Sequence, residues 1–265
     1  MWIEILQETA EETRRRVTCL FRDRGGLVSP SKLPELKDLL DAEAEAAVEE
    51  TLRRREVRAR IVSEEAELQL GGGSETRIIV DPVDGTNNMG RGFPLAAVSL
   101  AVSETPRFGG VVSGLVMNLY TGETYTAERG GGALLNGQPI STSKITSLGE
   151  ALLSIDVSKS GHVKPLENLL RRAQHLRQLG SAALSLSFVS AGVLDAYVDL
   201  RDLIRVTDVA AGLLILREAG GVIHTVGENL DEIELERDRT LSLVASGNHL
   251  LIDEILKCLG PDAEG

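Results

Sequence analysis

The chain has 265 residues, is 42 % hydrophobic and carries a formal net charge of −12. That length supports a sizeable core, in one large domain or two fused halves. The charge argues against nucleic acid as the main partner and makes the surface repel anionic substrates unless cations are bound locally.

The first residues, MWIEILQETAEETRRR, carry acids early and lack an apolar run, so they read as a helix and not as a secretory signal. No stretch approaches the ~18 to 20 apolar residues of a membrane span, and a cytoplasmic protein is expected. Trp2, Ile5, Leu6, Val17, Leu20 and Phe21 lie near helical spacing, and that helix should stop at Gly25-Gly26. "LVSPSKLPELK" follows and reads as a loop over roughly 25–38, a mobile lid carrying Lys32. Leu36, Leu39, Leu40, Ala47, Val48 and Leu52 mark a second helix. "ARIVSEEAEL" is a strand entering a turn, and Gly71-Gly72-Gly73 marks a loop tip. Strands are predicted at 77–81, 95–102, 109–117 and 123–128, so this half reads as two helices on an antiparallel-rich sheet.

The second half alternates. Strands near 151–156, 175–179, 194–199, 221–224 and 241–246 are separated by helices near 163–172, 181–191, 207–219 and 248–259, an α/β layer pattern. The seam between a 1–145 half and a 146–265 half falls at 142–150, with no linker long enough for independent domains, so 1–265 reads as a single catalytic unit. The two cysteines, Cys19 and Cys258, form no framework or metal motif and read as reduced core residues.

The chemistry concentrates in "IIVDPVDGTNNMG", residues 78–90. Two aspartates three apart leave a strand with a proline between them. A haloacid-dehalogenase nucleophile motif fails on spacing, because its carboxylates stand two apart. An EF-hand loop fails because acids are missing at alternate positions. A turn stiffened by Pro82 can bring Asp81, Asp84 and the Val83 carbonyl onto one hard cation. Gly85 and Thr86 would open a helix whose N–H groups suit a phosphate. Metal and phosphate would then share a wall, as two-metal phosphoryl chemistry requires.

At this point the sequence resembles the inositol monophosphatase family of Mg²⁺-dependent, lithium-sensitive sugar phosphatases. Residues 81–103, "DPVDGTNNMGRGFPLAAVSLAVS", resemble its first signature, and "VTDVAAGLLILREAGGVI" resembles its second. "IVSEEAEL", "SGLVMNLYTGETYTAERGGGALLNGQPI", "LGSAALSLSFVSAGVLDAYVD" and "LVASGNHLLIDEI" resemble family blocks in the same order. The loop "SPSKLPELKD" is similar to the archaeal branch that handles both inositol phosphate and fructose 1,6-bisphosphate.

The resemblance implies a layered α-β-α-β-α sandwich, two or three Mg²⁺ ions per site and a homodimer or higher homo-oligomer. It implies that Glu64, Asp81, the Val83 carbonyl, Asp84 and Asp208 bind the metals, with Glu65 behind them. Thr86 would orient the attacking water and relay a proton to an acid on the second helix, best matched by Asp41, with Asp38 and Glu35 as alternatives. Gly85, Thr86, Ser181, Arg177, Arg201 and Arg205 would face the substrate, with Arg201 first in line for a distal phosphate. Singly, these residues have plainer readings as turn formers, helix caps and surface ion pairs. His162, His175, His224 and His249 show no ligand spacing and read as structural. The family usually has Trp before the second-signature aspartate; here it is Thr207.

The expected activity is hydrolysis of a small sugar or cyclitol phosphate. A 3′-phosphoadenosine 5′-phosphate phosphatase ranks behind it, since only 3 % of the chain is aromatic and a base needs stacking. A non-catalytic member that binds Mg²⁺ or phosphate is the alternative from another class.

Overall fold

The computed structural model describes residues 1–23, 30–64, 66–72, 75–159 and 163–260. Helices α1 (Trp2–Asp23) and α2 (Leu33–Arg54) pack together, and Leu6, Ala10, Val17, Leu36, Leu40 and Leu52 share one core. Helix α2 starts inside the stretch read as a loop. Its Pro34 lies in the first turn, where the missing N–H costs no helical bond and the fixed φ fits. The lid reading therefore fails from Leu33 onward, and Leu33 is buried; residues 24–29, including Gly25-Gly26 and Ser29, lie outside the described residues. Cys19 is exposed, contrary to its reading as core, because it stands two residues beyond the inward-facing Val17; Cys258 is buried.

Strands β1 (Ala59–Ser63), β2 (Glu67–Leu70) and β3 (Arg77–Asp84) precede a short helix α3 (Thr86–Gly90). Then come β4 (Ala97–Ser103), β5 (Val111–Asn118), β6 (Thr124–Glu128), β7 (Ala133–Leu135) and β8 (Gln138–Ile140). These form one sheet in the order β2-β1-β3-β4-β5-β6-β7-β8, antiparallel except for β1 with β3. Asn136-Gly137, both at positive φ, close the β7–β8 hairpin in the twist that two-residue hairpins favour.

The second half contains β9 (Leu152–Ile155), α4 (Glu167–Arg172), β10 (His175–Arg177), α5 (Ala182–Ser190) and β11 (Ala196–Arg205). It continues with α6 (Val206–Glu218), β12 (Val222–Thr225), β13 (Thr240–Ser246) and α7 (His249–Leu259). Its sheet runs β10-β9-β11-β13-β12, with β9 parallel to β10 and β11 and the other pairs antiparallel. Strand β11 outruns its sequence estimate by six residues, because its ladder breaks after Asp199 and resumes at Ile204. Within that break Asp202 takes a positive φ.

Alternation along β4 defines the layers. Val98, Leu100 and Val102 face the α1/α2 core, while Ala97 and Ala101 face a second core built on α5 and α6. That second core continues into Tyr197, Leu243 and Ala245 of the other sheet. Leu153, Val198 and Val244 turn to a third core with Leu169 of α4 and Leu251 and Ile255 of α7. The order α1/α2, sheet, α5/α6, sheet, α4/α7 is the layered sandwich expected from the resemblance. Each fully buried leucine, such as Leu100, contributes about 1.5–3 kcal/mol. Helix α6 is apolar all round because it lies between two sheets; within 206–216, Asp208 alone escapes full burial. Among the described residues no helix is long and apolar enough to cross a membrane.

Candidate active site

The β3–β4 ladder pairs Asp81 with Ser99 and resumes at Asp84 with Ala97, leaving Pro82 and Val83 as a bulge. Proline has no N–H to offer a ladder, so a bulge is where it fits. The bulge lets two aspartates three apart line the same cleft. The Val83 N–H donates to Asp81 Oδ1 at 3.0 Å, which fixes the carboxylate. Gly85 follows with φ 90°, and a Cβ there would stand 2.7 Å from the Leu95 carbonyl oxygen. Only glycine turns the chain this way and opens α3 at Thr86.

The Thr86 hydroxyl lies 2.9 Å from the Val83 carbonyl oxygen and 3.2 Å from Asp41 Oδ1 on α2. Asp38 and Glu35, the competing acids, are exposed and do not line the cleft. Lys32 is exposed outside it as well; Lys37, one turn before Asp41, lines it instead.

Glu64 at the end of β1, Asp81 on β3 and Asp208 in the first turn of α6 each place a carboxylate oxygen within 4.8 Å of the others. Glu65 lies outside the described residues. Burial and the neighbouring carboxylates Asp208, Asp84 and Glu64 push the Asp81 carboxyl well above its usual range. Asp84 is pushed up to about 8, mainly by burial and then by Asp208, although Ser181 and Ala183 hydrogen bonds pull the other way. Asp208 is raised to about 6, again by burial first and by Glu64 next.

Asp84 Oδ2 accepts from Ser181 Oγ at 2.6 Å and from the Ala183 N–H at 2.7 Å. The start of α5 thus grips a carboxylate, where the sequence had suggested donors to substrate; Ser181 also caps α5 by accepting from the Leu184 N–H. Asp208 accepts from the Arg205 N–H at 3.1 Å, and its Oδ1 stands 3.1 Å from the Thr207 hydroxyl. Thr207, in place of the family's tryptophan, is buried and holds the carboxylate directly.

The cleft encloses about 420 Å³ and continues to Asp156, Ser158, Lys159, Gln178 and Arg201. Arg201 donates through Nε to Asp199 Oδ1 at 2.8 Å, pairs with Asp199 Oδ2, and donates to the Ser158 carbonyl at 2.7 Å. Its charge is therefore largely offset. Arg205 turns to the acid end and pairs with Glu64 Oε1. Arg177 is exposed and does not line the cleft, because alternation on β10 turns its neighbour Leu176 inward. His175 and His249 are exposed, His224 is half-buried, and His162 lies outside the described residues.

Sequence reasoning missed Asp156, Gln178, Lys159, Lys37 and Asn88. The polar run "DVSKS" straight after β9 was the available signal for Asp156 and Lys159. Asn88 ties the two halves: its Nδ2 donates to the Leu95 carbonyl at 2.8 Å and the Leu179 carbonyl at 2.7 Å. Two larger clefts, of about 620 and 680 Å³, lie elsewhere, and neither gathers carboxylates.

The all-oxygen donor set, the buried Asp81 with no cationic partner among the described residues, and the mutual repulsion of the carboxylates fit a hard divalent cation. The sequence profile of the inositol monophosphatase family matches residues 8–257. The chain is 35 % identical over 277 positions to the fructose-1,6-bisphosphatase/inositol-1-monophosphatase of Methanothermobacter thermautotrophicus, covering 97 % of this chain and 96 % of that protein. It is 37 % identical over 202 positions to the Nus factor SuhB of Vibrio cholerae, covering 74 % and 73 %. A solved IMPase from Thermotoga maritima superposes with a TM-score of 0.77 at 30 % identity, covering 99 % of this chain and 98 % of that one. The chain belongs to the inositol monophosphatase family of metal-dependent phosphoric monoester hydrolases.

Proposed function

We propose that this enzyme hydrolyses phosphate monoesters of small sugars or cyclitols with Mg²⁺, and that inositol 1-phosphate and fructose 1,6-bisphosphate are both substrates. The observation that carries this reading is the carboxylate cluster at one end of a cleft whose other end is polar and mixed in charge. Glu64, Asp81, the Val83 carbonyl, Asp84 and Asp208 would hold two or three Mg²⁺ ions, which supply positive charge to the phosphate and a lowered pKa to the attacking water. Glu65 would support them from behind. They come from the residue after β1, from β3 and from α6, so both halves of the chain would make one catalytic unit.

Thr86 would hold the water and relay its proton: the hydroxyl takes the water's proton as it gives its own to Asp41 Oδ1, with the Val83 carbonyl as its other resting acceptor. The Gly85 and Thr86 N–H groups at the start of α3 would face the phosphate. The distal phosphate of a bisphosphate would lie toward Lys159, which makes no ion pair among the described residues, with Arg201 beside it. The 35 % identical relative named for both activities supports the dual reading.

Phosphate release from the two substrates, measured with chelator, Mg²⁺ and Ca²⁺, tests the proposal. Release should require Mg²⁺. Ca²⁺ should inhibit, because its looser, larger coordination does not align the water. Release from inositol 1-phosphate alone would reduce the reading to a plain inositol monophosphatase. No release from either, with Mg²⁺ still bound, would favour a role by association, the reading that the SuhB relative's name motivates.

A further inference from the structure

One residue touches two of the three clustered carboxylates. The Arg205 guanidinium pairs with Glu64 Oε1, across 141 positions of sequence, while its main-chain N–H donates to Asp208 Oδ2 at 3.1 Å. Glu64 directly follows β1 of the first sheet, and Asp208 lies in the first turn of α6, which β11 of the second sheet feeds directly. The main chain of Glu64 is held by Val80 and by Arg237 Nε, and α6 packs against β3, but the side-chain link between these two carboxylates runs through Arg205. The same contact puts a permanent positive charge beside the place where a cation would bind.

We propose that Arg205 is a positioning residue that sets the metal affinity of the site. It pins Glu64 next to Asp208, and its charge opposes the incoming cation. This rests on reading Glu64, Asp81 and Asp208 as metal ligands. Both partners are about a third exposed, at 39 % for Arg205 and 34 % for Glu64, so water and salt screen the charge and leave the pin. The two effects therefore separate by substitution. Arg205→Gln removes the charge and keeps an N–H donor for Glu64. Arg205→Ala removes both. Arg205→Lys keeps the charge.

The experiment is a Mg²⁺ titration of the purified chain by calorimetry, without substrate, at low and high KCl. At low KCl Arg205→Gln should bind Mg²⁺ roughly ten- to thirtyfold more tightly than wild type, the effect of a unit charge ~4 to 6 Å from a divalent ion in high dielectric. Raising KCl should shrink that gain. Arg205→Ala should bind more weakly than Arg205→Gln, because Glu64 loses its anchor, and Arg205→Lys should stay near wild type. A purely structural pair would lower thermal stability in all three variants and leave the order of Mg²⁺ affinities unchanged. If wild type binds Mg²⁺ and Arg205→Gln binds it equally or more weakly, the proposal is overturned while the metal site stands. If wild type does not bind Mg²⁺ at all, the metal-site reading falls and the proposal with it.

Discussion

The two ends of the cleft both bury acids, but they treat them differently. At the α3 end, Asp81, Asp84 and Asp208 stand against one another and against Glu64, and burial together with mutual repulsion raises all three aspartates. At the β11 end, Asp199 is fully buried and Asp156 nearly so, yet the Arg201 guanidinium lies between them. Burial raises the Asp199 carboxyl, while hydrogen bonds from Arg201 work against that shift. Tyr197 completes the second network, with its hydroxyl 3.3 Å from Asp156 and 3.4 Å from Asp199. At one end a guanidinium pairs with the buried aspartate itself; at the other Arg205 pairs only with the partly exposed Glu64, and Asp81 and Asp84 have no ion pair among the described residues. Buried acids without a cation of their own point to function more sharply than buried acids as such.

The largest effect should come from the uncompensated end. Asp84→Asn swaps a proposed ligand oxygen for a weaker neutral one, and turnover should fall by more than the roughly 100-fold that loss of a supporting group costs. The folded state should keep or gain stability, since a repelling charge is removed; steady-state kinetics and a melting curve check both. Near-wild-type turnover at saturating Mg²⁺ would sink the metal assignment. Thr86→Ala should lower kcat by about 100-fold, the low end of proton-transfer assistance, with little change in Mg²⁺ affinity. If Asp41→Asn left kcat intact while Thr86→Ala abolished it, the proposed relay between them would be wrong.

At the compensated end, substitution should strike stability as much as activity. Arg201→Ala strands a buried Asp199 and should cost about 3–5 kcal/mol of unfolding free energy. Its KM for fructose 1,6-bisphosphate should rise more than its KM for inositol 1-phosphate. Denaturant unfolding that matched wild type would erase the contrast between the two ends.

A further effect is a pH dependence. Asp84 and Asp208 titrate near 8 and 6 in the folded chain, above the ~3.9 of an unfolded aspartate. The folded state thus binds more protons than the unfolded one. This contribution to stability is whole below about pH 4 and is lost as pH rises toward 8. In chelator, the melting temperature should therefore decline between pH 5.5 and 8.5, and Asp84→Asn should flatten the upper part of that slope. A wild-type melting temperature that rose across the window would contradict the direction of these shifts.

The sequence by itself determined the main elements and the core of the acid end, while the layered order of those elements was legible only through the resemblance to the family. Hydrophobic periodicity marked the main helices and strands, and Asp81, Val83, Asp84, Gly85 and Thr86 sit within six residues, where local chain geometry dictates how they converge. Glu64 and Asp208 were legible only because each lies inside a block of sequence resembling the family's. Only the tertiary structure decided which acid of α2 faces Thr86, because Glu35, Asp38 and Asp41 lie three residues apart and a small rotation of the helix selects among them. Only it decided the arginines. A guanidinium on a long side chain can reach several carboxylates, so Arg201 went to Asp199, Arg205 to Glu64 and Arg177 to the surface, according to which acids the folded sheets placed within reach. Ion pairing depends on distances between segments far apart in the chain, and those distances are set by the packing of α5 and α6 between the two sheets.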